Sequence, residues 1–125
     1  MAESKLIYAD LTGEIIGSAM EVHRNLGSGF LESVYEQAMA IEFDMRKLPF
    51  ERQKSIDVYY KGKPAKQFVC DFLVDNKVLV EIKAIRELTN MERSQVLNYL
   101  KATGTKVALL INFGEQSLKY KRFVL

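Results

Sequence analysis

Phe68-Val69-Cys70-Asp71-Phe72-Leu73-Val74, then Asp75-Asn76-Lys77, then Val78-Leu79-Val80-Glu81-Ile82-Lys83 is the stretch whose reading decides the fold. Both arms are apolar and β-prone around a turn-forming centre, so the segment reads as a buried β-hairpin. Two carboxylates and a lysine interrupt it, although charged side chains are rarely buried unless paired or bound to a metal. Side chains alternate faces along a strand, so Glu81 and Lys83 share one. A three-residue loop at Asp75-Asn76-Lys77 would set Asp71 directly across from Glu81. Asn76 suits the left-handed conformation such loops need. The other face is then Phe68, Cys70, Phe72, Val74, Val78, Val80 and Ile82. A two-residue turn would instead put the two carboxylates on opposite faces.

Two carboxylates beside one lysine leave net negative charge in an apolar sheet, which is costly without a cation. A divalent ion held by Asp71 and Glu81, with Lys83 facing a phosphate or the attacking water, is an arrangement suited to phosphodiester hydrolysis. The alternative is a salt bridge from Lys83 to Asp71 or Glu81. The chain has one Cys, Cys70, and one His, His23, so a Cys/His zinc site is excluded. Carboxylate ligands favour Mg²⁺, with Mn²⁺ as a substitute. Cys70 should face the apolar side and be inert.

Working outward, residues 10–26 read as a helix carrying Ile15, Ala19, Val22 and Leu26, with Asp10 or Thr12 as its cap. After Leu26-Gly27-Ser28-Gly29, a second helix is expected from Phe30 to Arg46, with Leu31, Val34, Tyr35, Ala38, Ile41 and Met45 as its apolar stripe. Phe50 to Tyr60 alternates as a strand, and Lys61-Gly62-Lys63-Pro64 is a turn. A helix capped by Asn90 and stopped by Gly104 is expected next. Val107-Ala108-Leu109-Leu110-Ile111 reads as a strand covered on both faces, and Leu118 to Val124 as a final edge strand. The order predicts an α/β sandwich around a mixed sheet, with an antiparallel meander joined through a helix to another strand.

The 125 residues suit a single domain spanning 1–125. Almost half are hydrophobic (48%), which argues against disorder. No apolar run approaches the ~20 residues of a membrane span. Met1-Ala2-Glu3-Ser4-Lys5 does not read as a signal peptide, so a cytoplasmic location is expected. The net charge of +2 is split, −4 over residues 1–60 and +6 over 61–125. A basic second half fits a polyanionic partner. There is no Gly-rich phosphate loop and no nucleophile triad.

Several motifs together resemble a known family. Asp71 with Glu81-x-Lys83 matches the PD-(D/E)xK signature, with Cys70 where the proline would stand. Gly29-Phe30-Leu31-Glu32-Ser33-Val34-Tyr35 fits G-x-x-E-x-x-Y, preceded by Val22-His23-Arg24-Asn25-Leu26-Gly27. Gln95-Val96-Leu97-Asn98-Tyr99 looks like the Q-x-x-x-Y helix of RecB-type nucleases, and Leu109-Leu110-Ile111-Asn112-Phe113-Gly114 like the strand that closes the core. The chain thus resembles the GxxExxY family of the PD-(D/E)xK nuclease superfamily over about residues 6 to 123. The resemblance implies a restriction-endonuclease-like αβ sandwich, with helices flanking a mixed central sheet. It implies Mg²⁺-dependent cleavage of nucleic acid, DNA in preference to RNA. Asp71 and Glu81 are the expected metal ligands, and Lys83, Glu32 and Gln95 the expected catalytic groups. Tyr99, His23, Arg52 and Arg86 are weaker substrate-binding candidates. Glu92 stands where related sequences often carry histidine. A homodimer is one way so small a chain could gain grip on its substrate. A catalytically silent nucleic-acid- or partner-binding module retaining the fold is the alternative function.

Overall fold

A computed structural model describes residues 7–125. The reading of Met1-Ala2-Glu3-Ser4-Lys5 lies outside the described residues. Helices α1 (Ala9–Leu26) and α2 (Glu32–Met45) are followed by strands β1 (Phe50–Tyr60), β2 (Lys63–Val74) and β3 (Val78–Lys83). Helix α3 (Asn90–Thr103), β4 (Val107–Asn112) and β5 (Lys119–Val124) complete the chain. The five strands form one mixed sheet in the order β1-β2-β3-β4-β5. Only β3 and β4 are parallel, joined through α3; the other pairs are antiparallel. No helix among the described residues is long and apolar enough to cross a membrane.

The hairpin has the three-residue loop at Asp75-Asn76-Lys77, and Asp75 and Asn76 are both left-handed, at φ 51° and 57°. Val74 pairs Val78, Leu73 pairs Leu79 and Phe72 pairs Val80. This ladder points Asp71 at Glu81, as an odd loop requires.

One face of the sheet is covered by α1 and α2. Ile15, Ala19, Tyr35, Met39 and Phe43 meet Phe72, Val74, Val80, Ile82 and Ile111 there. The other face is covered by α3, where Val96 and Leu100 meet Cys70, Leu79, Ala108 and Leu110. Strand β4 is buried along its whole length, as its unbroken apolar run predicts.

Four expectations are corrected. Cys70 and Phe72 do not share a face: Cys70 and Phe68 pack toward α3, while Phe72 and Val74 pack toward α1 and α2. The switch falls at Asp71, next to Gln53 of β1, which adopts φ 53° inside the strand and interrupts the alternation. Helix α2 buries Tyr35, Met39, Ala40 and Phe43, whereas Leu31, Ile41 and Met45 are exposed. The stripe that starts at Tyr35 and recurs four residues apart meets the sheet, so the helix is rotated relative to the expected face. Helix α3 is capped by Thr89 rather than Asn90. Thr89 and Glu92 form a reciprocal capping box, with Glu92 accepting from the Thr89 N–H at 2.6 Å. Neither Asp10 nor Thr12 caps α1; the Thr12 hydroxyl donates to the Ala9 carbonyl inside the helix. Gly104 ends α3 at φ 71°, as expected.

Candidate active site

The acidic pair sits where β2 parts from β3. Their ladder runs only over Phe72–Val74. Beyond it, the Asp71 carboxylate takes over the position of a ladder acceptor: Oδ2 accepts from the Ile82 N–H at 2.7 Å. A buried backbone donor is costly to leave unpaired, so this bond fixes the carboxylate as well as the strand. Gln53 Nε2 donates to the other oxygen, Oδ1, at 3.4 Å. The same amide donates to Glu36 on α2, whose second oxygen accepts from the Arg52 guanidinium at 2.7 Å. Asp71 is thus held from both neighbouring strands and indirectly from α2.

Glu81 is only 6% exposed, on the α3 side of the sheet. Its Oε1 is buried without a hydrogen-bond partner among the described residues. Burial, and then the neighbouring Asp71 charge, pushes its carboxyl up to about 9. The Tyr99 hydroxyl is raised by burial first and then by Glu81 and Asp71. The Tyr99 ring stacks on Phe68 with centroids 4.1 Å apart, which leaves its hydroxyl in the field of the acidic pair.

Lys83 is half-buried and makes no ion pair within 4 Å among the described residues, so the salt-bridge alternative for this hairpin is not formed. Its charge opposes the rise at both Glu81 and Glu32. Its backbone is tightly placed. The Lys83 carbonyl accepts from the Phe113 N–H at 2.8 Å. The fully buried Asn112 grips the next turn. Its Oδ1 accepts from the Ile85 N–H at 3.0 Å, and its Nδ2 donates to the Ile85 carbonyl at 2.9 Å. Gly114 lies so close that a Cβ there would meet the Ile85 carbonyl oxygen at 2.1 Å. The Asn112-Phe113-Gly114 segment is therefore a shelf under the Glu-x-Lys strand.

Glu32 opens α2, where the helix dipole favours a carboxylate. Partial shielding from water, and then the Asp71 charge, lifts its carboxyl above the usual range. Glycine three residues earlier has a reason: Gly29 takes φ 109°, which L side chains avoid. Tyr35 is fully buried, stacks on Phe113 at 4.6 Å and ties down the loop before Glu32. Its hydroxyl donates to the Gly27 carbonyl at 2.5 Å and accepts from the Phe30 N–H at 3.2 Å. Glycine, glutamate and tyrosine in this motif thus turn, present and anchor one loop.

Other candidates lie outside this group. Gln95 is exposed and makes no hydrogen bond among the described residues. His23 is buried at the end of α1, with Nε2 2.9 Å from the Glu115 carbonyl. Arg52 is engaged by Glu36 and Gln37. Arg86 is exposed in the loop after β3. Glu92, which stands where related sequences often carry histidine, is spent on the α3 cap. A cavity of about 530 Å³ lies on the α3 side, lined by Lys54, Cys70, Leu79, Thr103 and Lys106 among others, but neither Asp71 nor Glu81 lines it.

No three of His, Cys, Asp and Glu gather closely enough among the described residues to hold a metal by side chains alone. Mg²⁺ does not require three, because it is held by one or two carboxylates and keeps waters or phosphate oxygens. A partnerless buried oxygen on Glu81 beside the oriented Asp71 carboxylate fits such an ion.

Gln53, Glu36, Asn112 and Gly114 were not among the candidates. Gln53 could have been found as the residue opposite Asp71 in a β1–β2 ladder that pairs Arg52 with Phe72 and Lys54 with Cys70.

A search of curated proteins finds no match. Among solved structures, the crystal structure of SSO0001 superposes with a TM-score of 0.60 at 13% identity, covering 74% of this chain. The chain spans about half of that protein (48%), and the likeness is one of fold. The sequence profile of the PD-(D/E)XK nuclease superfamily matches residues 9–123. With that match over almost its whole length, and a mixed sheet whose parting strands carry the acidic pair, the chain belongs to the PD-(D/E)XK nuclease superfamily.

Proposed function

We propose that this protein is a Mg²⁺-dependent nuclease that hydrolyses phosphodiester bonds in nucleic acid, DNA in preference to RNA. The observation that carries the reading is the buried, partnerless Glu81 oxygen beside Asp71. Asp71 and Glu81 would hold the ion, with the Ile82 carbonyl as a further ligand. The ion would lower the pKa of a bound water and neutralise charge on the phosphate. Lys83 has no competing ion pair among the described residues, and would orient that water or meet the charge developing on the phosphate. Glu32 would act through an intervening water, and Gln95 would engage only when substrate arrives. Tyr99 would line the site from α3. Within the superfamily the chain is read as a GxxExxY protein, supported by the turning, presenting and anchoring roles of Gly29, Glu32 and Tyr35. Residues 1–125 are read as a single domain.

The test is titration with Mn²⁺ and a cleavage assay on DNA and RNA with Mg²⁺ or Mn²⁺. Binding lost in Asp71→Ala and cleavage lost in Lys83→Ala are expected. Metal affinity equal in wild type and Asp71→Ala, with no cleavage of any nucleic acid, would overturn the proposal.

A further inference from the structure

The strands β1 and β2 pair far beyond the sheet. Their antiparallel ladder continues through Asp57–Gln67 and Val58–Lys66 to Tyr60–Lys63, while β3 pairs β2 only over Phe72–Val74. The last side chains of this ribbon that join the core are Ile56 and Phe68, packed toward α3. Beyond them, two contacts lie within the ribbon itself: Gln67 donates to Asp57 at 3.0 Å, and Lys61 Nζ sits 5.4 Å from the centre of the Tyr60 ring. A two-residue turn at Lys61 and Gly62, both left-handed, closes the tip.

The tip has a specific surface. Tyr59 and Tyr60 are 61% and 67% exposed. Lys61, Lys63 and Lys66 are exposed, and none forms an ion pair among the described residues. No acidic residue occurs from Val58 to Cys70. The register shifts between Val58 and Tyr59, so Lys63 and Lys66, the partners of Tyr60 and Val58, share one face with Tyr60, while Tyr59 lies on the other face with Pro64.

We infer that this ribbon tip enters the major groove of duplex DNA beside the cleavage site. Strands about 4.8 Å apart, with side chains, match the ~12 Å major groove of B-DNA, which admits a two-stranded ribbon. A tip entering end-on lays its Lys63 and Lys66 face, with the Tyr60 ring, along one phosphate backbone and leaves Tyr59 on the opposite side. The major groove of A-form RNA is too narrow to be read this way. Asp71 and Lys63 are eight residues apart on one strand. At ~3.3 Å per residue the tip reaches at most ~26 Å from the acidic pair, or about seven to eight base pairs. This inference rests on the nucleic-acid reading above, but not on catalysis.

The experiment is fluorescence anisotropy of the full chain in EDTA, on a 30-base-pair DNA duplex, a matched RNA duplex and single-stranded DNA, across a KCl series. The variants are Lys61→Gln/Lys63→Gln/Lys66→Gln and Tyr59→Ser/Tyr60→Ser, each checked for unchanged thermal melting. On duplex DNA the lysine variant should lose about tenfold affinity or more and flatten the salt slope by about 2.7 log units per log unit. The tyrosine variant should lose affinity with its slope unchanged. Losses on the RNA duplex should be under twofold. Unchanged affinity and slope on duplex DNA would overturn the inference, and so would an equal loss on single strands. Because the assay is metal-free, a protein that binds through the ribbon but cuts nothing would sink the nuclease proposal alone.

Discussion

Strand β2 has two halves that differ in almost every respect. From Phe72 to Val74 it is an inner strand of the sheet, with Phe72 and Val74 fully buried. From Lys63 to Gln67 it pairs only β1, and its side chains are exposed. Asp71 stands at the junction, with one oxygen on the inner sheet at Ile82 and the other on Gln53 of the ribbon. The contrast teaches that an acidic site can be placed by ending a ladder. Where two strands part, a backbone donor is left over, and the carboxylate that takes it is fixed in the fork. The same parting frees the outer half to meet a partner.

The sharpest way to break this contrast is at the junction. Asp71→Ala should abolish Mn²⁺ binding and lower kcat by about 1000-fold or more, about 4 kcal/mol of barrier, in a steady-state cleavage assay. Asp71→Asn keeps an acceptor for Ile82. It should restore thermal stability relative to Asp71→Ala without restoring activity, separating the strand-end role from the metal role.

The next effect falls on the inner side. Gly114→Ala places a Cβ against the Ile85 backbone and should cost about 2–3 kcal/mol in urea unfolding, with the Lys83 segment displaced. An Ala variant as stable as wild type would show that the shelf yields.

A third test uses pH. Glu81 holds its proton in the fold up to about 9, well above the ordinary 4.5 of an unfolded carboxyl. Between those values the folded state binds more protons than the unfolded state. The stability of the metal-free protein should therefore fall as pH rises through that window. Glu81→Gln should remove that part of the slope and raise Tm at pH 8, and Mg²⁺ should lift wild type but not the variant. A flat wild-type profile from pH 5 to 9 would contradict the burial reading of Glu81.

The smallest effect belongs to the outer half. Tyr59→Ser/Tyr60→Ser should change unfolding free energy by about 0.5 kcal/mol or less, because exposed rings outside the core contribute little to stability. A large loss would mean that the tip is packed rather than presented.

The hairpin register was legible because side-chain alternation and a three-residue loop leave one answer: Asp71 toward Glu81. The unbroken run at Val107–Ile111 likewise marked the buried parallel strand. The face switch was not legible, because it depends on a left-handed Gln53, a residue type that does not advertise that conformation. The rotation of α2 was hidden by Ile41 and Met45, apolar residues at helical spacing that the fold leaves exposed. Of the candidate site, Asp71, Glu81 and Glu32 were singled out by their charge in apolar or motif surroundings. The Glu36–Gln53–Asp71 links were out of reach because they join residues 17 and 18 apart in sequence through the fold. The Thr89–Glu92 capping box had a plain local signature, and it gives the Glu92 carboxylate a structural role where related sequences often carry histidine.

Cys70 has a practical consequence. The chain has no other thiol, and this one is 1% exposed and held at a pKa of about 12 by burial, with Glu81 and Asp71 adding to it. At neutral pH it is a poor nucleophile. The natural chain is therefore a ready background for single-site labelling. A Tyr60→Cys substitution would carry the one reactive sulfur, so a spin label or fluorophore could report how far the ribbon tip moves when a duplex arrives.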